Sequence, residues 1–265
     1  MKGEEALAQF SGPPRSLIWR GGAVHLRCCN ADRKTPDPHA RFALQLTVSF
    51  VGDVSLSCGR RDPERLAAGW LIRSNQPHWF SGAGTSVTVF WDPVCPVGRL
   101  VATRLNNDGA VPLTPAECAH IHGELKGCWE RGWRHADLRA ATDRIAHLVA
   151  RPDSTVAPID RRVQMVLRAL QRDPADTSSF AEFARLTKLS QSGLAHLFRR
   201  DVGTPFRQYR LALRMEQAAR EIAAGASLTR AAYGAGFADP AHFCRICRRM
   251  FGGAPSELPS FQLEA

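Results

Sequence analysis

The sequence predicts an α+β protein of two domains, strands first and helices after. Three observations carry this. Residues 20–105 are rich in β-branched and aromatic side chains, with Gly and Pro at short intervals. From Leu113 the apolar residues fall into helical spacing. After Thr177 a pattern of short helix, turn and second helix occurs twice. With 265 residues, 44% of them hydrophobic, the chain can bury a core in one large domain or two ordinary ones.

In the strand-rich part, "ARFALQLTVSFVGDVSLSCG" and "TSVTVFWDP" alternate between turn signals. Such short strands fit an antiparallel sandwich or barrel over residues 20–105. Residues 114–150 then read as helices. Thr114 is placed as a cap, with Pro115 in the first turn and Glu117 completing a capping box. Leu125, Trp129 and Trp133 form one apolar stripe, and Leu138, Ile145 and Leu148 a second. This stretch has two readings: pairing with its copy in a homodimer, or packing on the barrel of its own chain. "ARPDSTVAP" reads as a linker, and everything after it as helix to the end. The domains expected are thus 1–150, a linker at 151–159, and 160–265.

The repeated pattern holds the functional information. Its first copy is "SFAEFARLTKLSQSGLAHLFRRDVGTPF" and its second "SLTRAAYGAGFADPAHFCRICRRMFGGAPSEL". Ser190 caps the second helix of one copy and Asp239, followed by Pro240, that of the other. Phe180, Phe183, Ala184 and Leu189 with Leu194, Leu197 and Phe198 can close one small core. Leu228, Ala231, Ala232 and Phe237 with Phe243, Ile246, Cys247 and Phe251 can close the other. Gly203 and Gly252 end the second helices. A helix of this size fits the DNA major groove, with residues near its start meeting base edges. Between the copies, residues 205–225 form an amphipathic helix about 30 Å long, close to the roughly 34 Å of one duplex turn. The expected layout is a first helix-turn-helix at 177–203, this spacer, and a second helix-turn-helix at 227–252.

Charge agrees with an anionic partner. The net charge is +10 and the pI about 9.7. Residues 160–265 hold 16 Lys/Arg against 10 Asp/Glu (+6), and the longer first part 19 against 15 (+4). No run of eighteen apolar residues is present and the first residues lack an apolar signal core, so a cytoplasmic location off the membrane is expected. Eight cysteines at irregular spacing give no disulfide framework. Cys244 and Cys247 form a CxxC without a second pair at zinc-finger spacing, so a metal is not expected there.

The stretches "LSQSGLAHLFRRDVGTPFRQYRLALRMEQAAREI" and "AAYGAGFADPAHFCRICRRMFGGAPSEL" resemble the DNA-binding domain of the AraC/XylS family of bacterial transcription regulators. The resemblance covers about 90 residues. It implies two helix-turn-helix subdomains joined by one long helix. The family's base-facing positions fall on Gln191, Ser192, Ala195 and His196, and on Pro240, Ala241, Cys244 and Arg245. Of these, Gln191, Ser192, His196, Ala241 and Arg245 are taken as base contacts. Arg199, Arg200, Arg248 and Arg249 are taken as phosphate contacts. The chain departs from the family at Cys247, where a bulky residue, often Phe, is usual; looser packing of the second subdomain is therefore expected.

Residues 59–84, "GRRDPERLAAGWLIRSNQPHWFSGAG", resemble one arm of a cupin-like β-barrel, the effector sensor with which regulators of this family often begin. Trp70, His78 and Trp79 are the effector-binding candidates. His39 stands alone, without the HxH pair of a metal-dependent cupin. The reading is a transcription regulator with promoter DNA, RNA polymerase and a small effector as partners. No catalysis, cofactor or metal is expected. The alternatives are a thiol-based sensor, suggested by Cys28–Cys29, and a metal-dependent cupin enzyme fused to a DNA-binding module.

Overall fold

The computed structural model describes residues 15–19, 21–29, 40–50, 52–58, 64–81, 84–106, 108–251, 255 and 261–263. It divides into two compact units. The first runs to Ser154 and includes the C-terminal strand; the second runs from Thr155 through the helices to Arg248.

The first unit is built on a seven-stranded sheet in the order β10-β1-β2-β8-β3-β6-β9. Its strands are β1 (Arg15–Trp19), β2 (Gly22–Cys29), β3 (Leu44–Ser49), β6 (Gly69–Ile72), β8 (Gly84–Trp91), β9 (Ala110–Pro112) and β10 (Phe261–Leu263). A smaller sheet joins β5 (Arg65–Ala67), β4 (Val54–Ser57) and β7 (Trp79–Ser81). All pairings are antiparallel except β1 with β10.

Register sorts the central strands into two faces, because side chains alternate with period two. Leu46 stands opposite Leu71 and Val89, and Val48 opposite Val87. These residues face Ile121, Leu125, Leu138 and Ile145 in one buried cluster. The helices supplying that cluster are α1 (Pro96–Leu105), α2 (Pro115–Glu130) and α3 (His135–Val149). Each fully buried leucine or isoleucine there contributes about 1.5–3 kcal/mol. The other face is mixed: Gln45 lies beside Ile72 and Phe90, and Thr47 beside Trp70 and Thr88.

Four expectations are corrected here. Among the described residues the large sheet stays open, ending at β10 and β9, so no closed barrel forms. Residues 96–105 are a helix. Pro96 presets its first turn and the Cys95 Sγ accepts from Gly98 N at 3.2 Å, which caps it. The chain is not helical to its end: residues 261–263 form a strand that pairs with β1 instead. Trp133 is not on the α2 stripe. It follows the helix in left-handed conformation (φ 59°), donating its N–H to Cys128 O. Its ring still packs at 5.7 Å from that of Trp129, and both join the core of this chain. The Thr114–Glu117 capping box forms as the sequence indicates.

The second unit is all helical. Its elements are α4 (Arg161–Arg172), α5 (Phe180–Leu186), α6 (Gln191–Val202), α7 (Phe206–Ala223), α8 (Leu228–Gly234) and α9 (Pro240–Phe251). Helix α7 has 18 residues, hence about 27 Å.

Candidate nucleic-acid interface

Helix α5 begins at a capping box: Glu182 N donates to Ser179 Oγ and Ser179 N to the Glu182 carboxylate. It stops at a tight turn in which Lys188 takes a left-handed φ of 55°. Ser190 then caps α6 through Gly193 N at 3.1 Å, and Gly203, left-handed at φ 76°, ends it. Helix α8 begins at Ser227, whose Oγ accepts from Arg230 N. Its turn places Gly236 at φ 79°. Asp239 caps α9, its Oδ1 accepting from His242 N at 2.6 Å.

The two turns are hydrogen-bonded alike. Thr187, Lys188 and Leu189 donate to Phe183 O, Arg185 O and Ala184 O. Ala235, Gly236 and Phe237 donate to Ala231 O, Tyr233 O and Ala232 O. The repeat seen in the sequence is thus a repeat of backbone geometry.

Each second helix buries one face and bares the other. On α6, Leu194, Leu197, Phe198 and Val202 are buried, and Gln191, Ser192, Ala195, His196, Arg199 and Arg200 are exposed. On α9, Phe243 and Cys247 are buried; Ala241, Arg245, Arg248 and Arg249 are exposed, while Pro240 and Cys244 are half-buried. The predicted contacts therefore share one outer face on each helix.

The arginines differ in their partners. Arg200 is held by Asp201 at 2.7 Å, and the other Asp201 oxygen accepts from Asp160 N. That pairing raises the Arg200 pKa. Among the described residues, no carboxylate pairs with Arg199, Arg245, Arg248 or Arg249. Such open guanidinium groups on one helix face are what a polyanion requires.

The family model described as "Helix-turn-helix domain" matches residues 183–259. The C-terminal part of this chain is an AraC-type helix-turn-helix domain. A curated relative, the HTH-type transcriptional regulator RipA of Corynebacterium glutamicum, is 32% identical over 106 residues. Those residues make up 40% of this chain and 32% of the relative, so the chain spans about a third of that relative's length. Over nearly the whole chain the protein is similar in fold to ToxT of Vibrio cholerae. The ToxT crystal structure from strain O395 matches with a TM-score of 0.62 at 12% identity, covering 90% of this chain and 97% of that one. An unsaturated fatty acid-bound form of ToxT matches at 0.58 and 12% identity, covering 89% and 94%. These matches support the two-domain fold.

The effector candidates do not form one described site. Trp70 is buried, its Nε1 donating to Val54 O and the Arg65 guanidinium lying over its ring. His78 is buried with Nδ1 2.9 Å from Gln76 O; burial, and less so the Arg41 charge, pushes its pKa down to about 4. Trp79 is half-buried in β7. No cluster of three or more metal-ligating side chains occurs among the described residues, and His39 lies outside them. Burial pushes the Cys95 thiol up to about 11 and raises those of Cys118 and Cys128, opposite to what a thiolate sensor needs. Cys28 and Cys29 lie in β2 opposite Thr85 and Gly84.

Sequence reasoning missed two residues of this unit, Arg210 and Arg214. Spaced i, i+4 on α7, they resemble a solvated charge pair. Instead both are half-buried against the loop before α5.

Proposed function

We propose that this chain is a sequence-specific DNA-binding transcription regulator that answers to a small effector through its first unit. The observation that carries the reading is the repeated helix-turn-helix, whose capped second helices bare Arg199 in one copy and Arg245, Arg248 and Arg249 in the other, none held by a carboxylate among the described residues. Gln191, Ser192 and His196 of α6, with Ala241 and Arg245 of α9, meet base edges. Arg245 is the strong reader, through two hydrogen bonds to guanine. Arg199, Arg200, Arg248 and Arg249 grip phosphates and set register. Arg200 is the weakest of these, since Asp201 already holds it.

The effector acts by population shift. It favours one state of the protein and so changes affinity for promoter DNA or contact with RNA polymerase. Ligand binding by ToxT, crystallised with an unsaturated fatty acid, supports a ligand for this fold. Within the first unit, the Gln45 Oε1 is buried without a hydrogen-bond partner among the described residues, beside Thr47 and Thr88 on the mixed sheet face. A ligand hydroxyl or amide donor would satisfy it. The domains are 1–150 for sensing, 151–159 as linker and 160–265 for DNA, except that the strand at 261–263 returns to the first sheet, and a homodimer would place two such readers on one promoter.

Nuclease footprinting of the full chain on DNA enriched from its own genome tests the reading. Two protected patches about one turn apart are expected, with affinity falling steeply as salt rises. A flat salt response, or no defined patch, defeats it.

A further inference from the structure

The spacer helix alone does not hold the two helix-turn-helix copies in place. One stripe along α7 touches both. It starts at Phe206, whose ring packs on Phe180, Phe183 and Phe198 of the first copy. It ends at Gln217, whose Nε2 donates to Gly234 O of α8 at 3.1 Å. Between these lie Arg210 and Arg214.

Both guanidinium groups are spent on the carbonyls of one loop, residues 173–178. Arg210 donates to Ser178 O at 2.7 Å and Asp176 O at 3.4 Å, with its guanidinium over the Phe206 ring. Arg214 donates to Pro174 O at 2.9 Å, Asp176 O at 3.2 Å and Ala175 O at 3.5 Å. The loop, "DPADTS", offers no large apolar side chain to anchor itself. Burial lowers the pKa of both arginines, so this placement is costly and fits a specific task.

The loop also meets the second copy. A Cβ on Gly236, in the turn between α8 and α9, would lie 2.9 Å from Ala175 Cα and 3.2 Å from the Arg214 Cζ. The loop is therefore a wedge, pulled onto α7 from one side and pressed by the second turn from the other.

We propose that Arg210, Arg214 and Gly236 are positioning residues that fix the spacing and phasing of α6 relative to α9 through this wedge. They need touch no DNA. The inference rests on the DNA-binding reading above, and it assigns to these residues the choice of distance between two half-sites rather than the choice of bases.

The test uses the full chain and a duplex enriched on the wild-type protein from a random-sequence pool. A second duplex carries two base pairs inserted between the protected patches, which turns one patch by about 70°. For wild type, the insertion should weaken binding by about tenfold or more. For Arg214→Met and Arg210→Met, with folding verified by circular dichroism, the ratio should fall to about twofold. Gly236→Ala should lose the discrimination in the same way, since its Cβ dislodges the wedge with both arginines intact. Should an arginine variant fail to fold, the glycine variant decides the matter. A folded variant that keeps the wild-type ratio overturns the proposal. Failure of wild type to enrich any duplex, or to protect two patches, overturns the DNA reading instead, before any variant is made.

Discussion

The two helix-turn-helix copies share backbone geometry but differ in how that geometry is secured. The first core is aromatic: Phe206 lies among Phe180, Phe183 and Phe198, and Phe198 also meets Tyr209. In the second, Leu228 stands where Phe180 stands, Ala231 where Phe183 stands and Cys247 where Phe198 stands, leaving Phe237 against Phe243 as the main ring pair. The first turn tolerates Lys188 in left-handed conformation; the second uses Gly236, against which the wedge loop packs. The first copy has a capping box and a polar recognition face, whereas the second has only Ser227 at the α8 start and a face dominated by arginine. One fold unit can thus be secured by an aromatic core in one place and by small side chains and a packed loop in another.

The largest expected effect separates the cores. Phe198→Ala should cost about 3–5 kcal/mol, while Cys247→Ala should cost only about 1 kcal/mol. Urea unfolding followed by tyrosine fluorescence checks this, since Tyr209 and Tyr233 are the chain's two tyrosines and all six tryptophans precede residue 134. Equal costs would mean that the second copy is packed as firmly as the first.

Next is the split in DNA contacts. Arg245→Ala should lose about 1–3 kcal/mol of discrimination at one base position. Arg248→Ala should weaken cognate and random duplexes alike and lower the salt slope by about 1. Titrations of both variants on both duplexes at several salt concentrations measure this; equal losses for Arg245→Ala on the two duplexes would remove base reading from α9.

The turns should respond with opposite signs. Lys188→Gly relieves a left-handed non-glycine residue and should raise stability by up to about 1 kcal/mol. Gly236→Ala creates such a residue and a close contact with Ala175 Cα, and should lower stability by about 1–2 kcal/mol. Thermal melts of the two single variants are sufficient.

The smallest effect is acid fraying of α5. Hydrogen bonds from Ser179 hold the Glu182 carboxyl below its ordinary pKa. A depressed folded-state pKa contributes stability above the unfolded value and loses it as pH falls through the folded one. Amide protection factors at the α5 start should therefore fall in acid, with no matching change at the α8 start. Glu182→Gln should make that difference insensitive to pH.

Much of the second unit was legible because its signals are local. Ser190 and Asp239 cap the helices they precede, and apolar spacing shows which face is buried. The first unit was harder. Strand alternation shows two faces on β3 and β8 but not whether the sheet closes, since closure depends on pairing between distant strands. The helix at 96–105 has its local signal in Pro96, a residue type that also suits the turns between strands. Arg210 and Arg214 carried no distinguishing mark, because an exposed and a half-buried arginine pair have the same spacing.

By itself, then, the sequence determined the helices of the second unit, their caps, the repeat and the cationic face, since each depends on residues within about one or two turns of one another. Only the tertiary structure decided that the large sheet stays open among the described residues, that residues 261–263 return to β1, and that two arginines of the spacer hold a loop against the second turn. Those outcomes bring together residues far apart along the chain, whose meeting is set by packing and register rather than by local preference.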